Sequence, residues 1–90
     1  MAESAIAEIK NELGLHARAA AQFVQTANKF NANVTVSKDG EEVDGKSILS
    51  LMMLAAPIGS EIEITTEGED ASALLHILLE LIENKFGEPR

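Results

Sequence analysis

A histidine lies where a strand pattern changes into a helix pattern, among groups that can handle an anion. The segment is Gly14-Leu15-His16-Ala17-Arg18. The first N–H groups of a helix lack intrahelical partners, so the backbone of Ala17 and Arg18 can bind an anion. The positive end of the helix dipole disfavours an imidazolium and stabilises a nearby dianion. His16 is therefore a candidate nucleophile for a phosphoryl group.

Two neighbours of His16 favour the same chemistry. Arg18 has a planar guanidinium that can hold phosphate oxygens through two parallel hydrogen bonds. Gly14 permits a sharp turn and a close approach of the backbone to an anion. A histidine at a helix start is also often a simple cap or a surface residue. Taken alone, these residues leave both interpretations open.

Other reaction chemistries fit the sequence less well. There is no cysteine, which excludes thiol chemistry and zinc–thiolate sites. The only other histidine, His76, is far along the chain, and no pair of residues has metal-ligand spacing, so no metal or other cofactor is expected. A Ser-His-Asp hydrolase is disfavoured because the chain is short and has no nucleophile-elbow motif.

The first half of the chain predicts a strand, a helix and a hairpin. Alternating apolar and polar residues indicate a first strand over residues 4–11, with Ile6 on its wetter face. Apolar residues spaced three and four apart predict a helix over 17–30, with an inner face of Ala20, Phe23, Ala27 and Phe30. The dipeptide Asp39-Gly40 then predicts a tight turn between two strands.

The second half predicts two helices and a strand between them. Ser47 is expected to cap a helix that Pro57 ends, with a buried stripe of Ile48, Leu51 and Ala55. A fourth strand follows, with Ile62, Ile64 and Thr66 facing inward. Asp70 is expected to cap a third helix that Gly87 ends, with a core face of Leu74, Ile77, Leu78, Leu81 and Ile82.

The element order is therefore βαββαβα in one domain over residues 1–90. We expect an α+β fold with a four-stranded antiparallel sheet and three helices packed on one face. Fifteen acidic and seven basic residues give a formal charge of −8, which makes nucleic acid and anionic membranes poor partners. The N-terminus has no signal-peptide pattern and no apolar run has spanning length, so we expect a cytoplasmic protein.

Two separate motifs resemble HPr, the family of histidine-containing phosphocarriers of the bacterial phosphoenolpyruvate-dependent sugar phosphotransferase system. The first is the segment around His16, and the second is Gly45-Lys46-Ser47-Ile48-Leu49-Ser50-Leu51-Met52. The resemblance covers nearly the whole chain. It implies an open-faced β-sandwich, phosphorylation of His16 on Nδ1 by enzyme I, and transfer to sugar-specific IIA domains. Such a protein is a monomeric cosubstrate and not an enzyme.

The resemblance also implies a second role for Ser47 and reveals one departure. A bifunctional HPr kinase/phosphorylase modifies the corresponding serine in some relatives, although a helix cap alone explains a serine here. The family usually has proline after the arginine, where this chain has Ala19. Alanine is a good helix former and restores one N–H donor near the anion. The site should therefore survive, with transfer rates that can differ from those of relatives.

An apolar set on the second helix lies off its predicted buried stripe and consists of Leu49, Met52 and Met53. An exposed apolar patch often marks an interface, and methionine adapts to several partners. These side chains can instead pack beneath a loop. The leading hypothesis is a phosphocarrier with this docking patch. The alternatives are a regulatory adaptor acting through Ser47 or docking alone, and an α+β interaction domain without reactivity at His16.

Overall fold

A computed structural model describes residues 2–90 and contains four strands and three α-helices. The strands are β1 (Ala2–Glu8), β2 (Asn33–Lys38), β3 (Glu41–Asp44) and β4 (Glu61–Glu67). The helices are α1 (Ala17–Ala27), α2 (Ile48–Met53) and α3 (Ala71–Glu83), followed by a 3₁₀ turn at Lys85–Gly87. The predicted order βαββαβα and the α+β fold class are confirmed.

The sheet has the spatial order β1-β4-β2-β3, and every neighbouring pair is antiparallel. Its inner face carries the aliphatic residues of alternate positions, so Val36 pairs with Ile64 and both are fully buried. The helices cover this face and join it in one core cluster. The outer face is acidic and wet, and Ile6 is 65% exposed there, as predicted. Among residues 2–90, no helix is long and apolar enough to cross a membrane.

Two element boundaries differ from the predictions. Strand β1 ends at Glu8, not at residue 11, because the backbone N–H and C=O of Ile9 pair with Ser60 and Gly59 in the loop before β4. Helix α1 ends at Ala27, not at residue 30, because Lys29 and Phe30 form hydrogen bonds from their N–H groups to the carbonyl of the third residue back and not of the fourth. One of them joins the N–H of Phe30 to the carbonyl of Ala27. Phe30 is consequently only half-buried.

The predicted buried stripe of α2 is wrong in two of its three residues. Leu51 is buried, but Ile48 is 41% exposed and Ala55 is exposed in a left-handed conformation. The helix has only six residues, so the helical period does not extend beyond Met53. The chain after it turns inward instead and buries Leu54 and Ala56.

The predicted stripe of α3 is also partly wrong. Ile77 is 37% exposed, whereas Leu75 is buried. Helix α3 is apolar over most of its circumference, so periodicity alone did not show which arc faces the sheet. The helix ends at Glu83, and the 3₁₀ turn extends the chain to Gly87.

Asp70 precedes α3 at the expected position but does not cap it. Its carboxylate instead accepts hydrogen bonds from the N–H groups of Asn31 and Ala32, at 2.9 and 2.8 Å. The hydrogen bond from Asn31 is the largest effect that lowers the pKa of Asp70, and the Ala32 bond and the charge of Lys46 lower it further. Together these effects outweigh partial desolvation, which raises the pKa. The backbone of Asp70 is not extended (φ −102°, ψ 25°), unlike that of a typical cap, and the connection before β2 provides the nearer donors.

Candidate functional site

The turn that carries His16 is held against the loop that follows α2. Gly14 has φ 71°, and a Cβ there would lie 2.6 Å from the carbonyl oxygen of Ala56. The N–H of Leu15 donates to the same oxygen at 2.9 Å. Only glycine combines this left-handed backbone with so close an approach. Gly14 thus sets the path by which the chain enters α1.

His16 is the N-cap of α1 and is 28% exposed. Its extended backbone (φ −80°, ψ −176°) lets its carbonyl accept the first helical bond from Ala20, at 2.8 Å. Its Nδ1 accepts a bond from the N–H of Arg18 at 3.3 Å. The ring therefore caps the helix and remains partly accessible to solvent. Its Nδ1 lies at the positive end of the helix.

The other ring nitrogen contacts an acidic side chain from the end of the chain. Oε2 of Glu88 lies 2.5 Å from Nε2 of His16, and Oε1 accepts a bond from Nδ2 of Asn11 at 2.9 Å. In the neutral ring, both histidine contacts are satisfied when Nε2 carries the proton and Nδ1 keeps its lone pair. The Glu88 side chain is only 9% exposed.

The C-terminal residues reach the site by folding back after α3. Lys85 and Phe86 both adopt left-handed conformations, with φ 59° and 57°. This geometry is costly for non-glycine residues, and burial of the Phe86 ring in the core offsets the cost. Beyond Glu88, the carbonyl of Arg90 accepts a bond from the N–H of Glu12 at 3.0 Å.

Glu88 stays ionised more readily than an ordinary glutamate. Burial by itself raises its pKa. The hydrogen bonds from Asn11 and His16, and the charges of His16 and Arg18, outweigh that effect, so the pKa lies below its usual value. A carboxylate is therefore expected beside His16 at neutral pH.

Two residues of this site, Asn11 and Glu88, were not predicted from the sequence. Asn11 was assigned to the first strand, yet it is fully buried in a turn and its Nδ2 also donates to the carbonyl of Gly14 at 2.8 Å. The spacing of Asn11 and Gly14 was an available signal, because asparagine at the first and glycine at the fourth position favour a β-turn. Glu88 had no such signal, since it is 72 residues from His16.

The predicted anion-binding residues lie beside His16. Ala17 and Arg18 are exposed in the first turn of α1, whereas Ala19 is fully buried. The Arg18 side chain lines a shallow hollow together with His16 and Glu88. The structure thus brings the ring, the helix N-terminus and the guanidinium together on one surface.

The second motif forms a neighbouring surface. Oγ of Ser47 accepts a bond from the N–H of Ser50 at 3.2 Å, so its predicted role as a cap is confirmed. Leu49 and Met53 are 68% and 67% exposed. Met52 is 39% exposed and shares a shallow depression with His16. The predicted exposure of this apolar set is confirmed, and Met52 is the member that lies beside His16.

His76 lies apart from the site. It is exposed on the outer surface of α3, where its Nε2 lies 3.5 Å from Oε2 of Glu80. Within residues 2–90, no three His, Cys, Asp or Glu side chains are arranged to hold a metal ion.

The chain forms an open-faced α+β sandwich whose first helix is capped by a histidine, and comparison with known proteins identifies its family. The family model described as the HPr component phosphorylation site of the phosphotransferase system matches residues 4–84. The phosphocarrier protein HPr of Neisseria meningitidis is 51% identical over 81 residues, which are 90% of this chain and 91% of that protein.

Two solved structures extend the comparison. HPr-C-His from Thermoanaerobacter tengcongensis has a TM-score of 0.93 and 44% identity, covering 98% of this chain and 99% of its own. Crh from Bacillus subtilis, described as a catabolite repression protein and a domain-swapped dimer, has a TM-score of 0.76 and 41% identity, covering 87% and 90%. This chain belongs to the HPr family of phosphocarrier proteins of the phosphotransferase system.

Proposed function

We propose that this chain accepts a phosphoryl group on Nδ1 of His16 from enzyme I and passes it to sugar-specific IIA domains. One observation carries the proposal: Nδ1 presents its lone pair at the N-terminus of α1. The 3.3 Å contact from the Arg18 N–H is long for a hydrogen bond and is easily given up when Nδ1 attacks phosphorus.

The same residues can hold the phosphorylated product. Once a phosphoryl group occupies Nδ1, the N–H groups of Ala17 and Arg18 can donate to its oxygens. The guanidinium of Arg18 adds charge and a planar pair of donors. The N–H of Ala19, where the family usually has proline, is one further donor in this turn.

We propose that partners dock on the apolar surface formed by Leu49, Met52 and Met53. This surface adjoins the depression that contains His16, so a partner seated there would cover the reacting nitrogen. Residues 1–90 would act as one monomeric HPr-like domain in the cytoplasm, as a cosubstrate and not as an enzyme. The absence of cysteine is compatible with that compartment.

Incubation with enzyme I and phosphoenolpyruvate tests this function. The protein should gain one phosphate, as a phosphoramidate that is labile in acid and stable in base. His16→Ala should gain none. His76→Ala is the matched control, because it removes the other histidine, which is exposed on the surface of α3, and should be phosphorylated normally. Phosphate retained by His16→Ala would refute the proposal.

A regulatory adaptor is the second candidate, favoured by the position of Ser47 beside the apolar surface and by the likeness to Crh. A phosphate on Ser47 would add negative charge next to Leu49 and hinder acidic partners. Incubation with HPr kinase/phosphorylase and ATP should then modify the wild type but not Ser47→Ala. An adaptor without transport flux would be modified there and yet gain no phosphate from enzyme I.

A further inference from the structure

The most deeply enclosed acidic group near His16 is the carboxylate of Glu88, and the proposed function leaves it without a role. Its two oxygens have different partners, one the buried amide of Asn11 and the other Nε2 of His16. Asn11 is fully buried and has a second bond to the carbonyl of Gly14, so the amide is fixed to the turn that carries the histidine.

We propose that Glu88 is a positioning residue for phosphoryl transfer, which holds the His16 ring with Nδ1 unprotonated and stabilises the positive charge that the ring acquires in the reaction. This inference rests on the proposed function of His16. It assigns a role to the C-terminal residues that the two sequence motifs do not contain.

The role of the Glu88 carboxylate follows from the charge that the His16 ring gains during phosphoryl transfer. The lone pair of Nδ1 forms a bond to phosphorus, the bond from phosphorus to the donor breaks, and the electron pair of that bond leaves with the donor. The Nε2 proton stays on the ring. The ring therefore becomes cationic as the new bond forms, and the Glu88 carboxylate is in direct contact with the N–H that shares this charge. An aspartate orients and stabilises a catalytic histidine in the same way in serine proteases.

The same argument applies when phosphate leaves. A phosphorylated ring that stays protonated on Nε2 departs as a neutral imidazole, which is a better leaving group than an imidazolate. Glu88 favours that protonated form. Removal of the carboxylate should therefore slow both the gain and the loss of phosphate. Removal of a residue that only shields the site from solvent would not slow the loss of phosphate.

Structural features on both sides of Glu88 in the chain fix the position of its carboxylate. Two consecutive residues with left-handed backbone turn the chain back, and the ring of Phe86 anchors the turn in the core. The bond from Glu12 to the carbonyl of Arg90 holds the chain beyond it. The chain is thus fixed both before Glu88, at Phe86, and after it, at Arg90.

Phosphoramidate, a small phosphoryl donor that leaves as ammonia after protonation, tests the reactivity of His16 without any protein partner. We would compare wild type, Glu88→Gln and Glu61→Gln, because Glu61→Gln removes the same charge from an exposed side chain on the outer face of β4. Glu88→Gln should be phosphorylated about tenfold or more slowly, and its isolated phosphorylated form should lose phosphate more slowly at pH 7. Glu61→Gln should stay within about twofold of wild type in both rates.

Thermal melts and ¹⁵N spectra of the His16 ring complete the test. Melts check that Glu88→Gln remains folded. The spectra should show Nδ1 unprotonated in the neutral wild type and a shifted tautomer balance in Glu88→Ala. Equal rates of gain and loss in wild type and Glu88→Gln would overturn the inference while leaving the proposed function intact. Failure of the wild type to gain phosphate on His16 from enzyme I and phosphoenolpyruvate would instead refute the proposed function, and this inference with it.

Discussion

Replacing Gly14 with alanine should destabilise the domain strongly, because the new methyl group would meet backbone and not open space. The left-handed conformation of Gly14 costs alanine about 1–2 kcal/mol. A Cβ only 2.6 Å from the Ala56 oxygen must push the two loops apart, at about 1–3 kcal/mol. That movement also weakens the bond from Leu15 to Ala56, worth about 0.5–1.5 kcal/mol.

The expected total is about 4 kcal/mol, which lowers the melting temperature of a domain this size by roughly 16–32 °C. Gly40→Ala is the matched control. Gly40 is also left-handed, with φ 85°, but nothing lies within 4 Å of its added Cβ. Only the backbone cost of about 1.5 kcal/mol should appear, or roughly 6–12 °C. Calorimetric melts of both variants measure the difference. Equal shifts would refute the close approach of Gly14 to Ala56.

Three further outcomes are expected. Arg18→Ala should change stability by no more than roughly 0.5 kcal/mol but slow phosphorylation by enzyme I, with Arg18→Lys between it and wild type; equal rates would remove Arg18 from the site. Leu49→Glu and Met52→Glu should weaken binding to enzyme I and leave the melt intact, whereas Ile6→Glu, on the open face of the sheet, should bind normally; normal binding by both would contradict the docking surface. Asp70→Ala should destabilise at pH 7, unlike exposed Glu69→Ala. Because the pKa of Asp70 is lowered in the folded state, its carboxylate contributes to the free energy of unfolding above about pH 4, and this contribution fades as the pH falls further. A loss of stability in Asp70→Ala that does not change between about pH 7 and about pH 2 would contradict this role.

The sequence was sufficient for the element order, the fold class and the position of His16. Period-two and period-3.6 patterns report which residues need burial, and the change of period at Gly14 located the helix start that carries the histidine. The cap at Ser47 and the turn at Asp39-Gly40 were also predictable, because both depend on residues a few positions apart.

The tertiary structure decided the features that depend on residues far apart in the chain. Asp70 looked like a cap by its position, but its carboxylate binds backbone N–H groups 38 and 39 residues away. Ile48 and Ile77 were assigned to the core, yet the covering layers leave them exposed. Glu88 reaches His16 because the buried ring of Phe86 holds a left-handed turn that local propensity disfavours. Local patterns record what a residue prefers, whereas packing selects which preferences are met, and for that reason the carboxylate beside His16 is evident only in the folded chain.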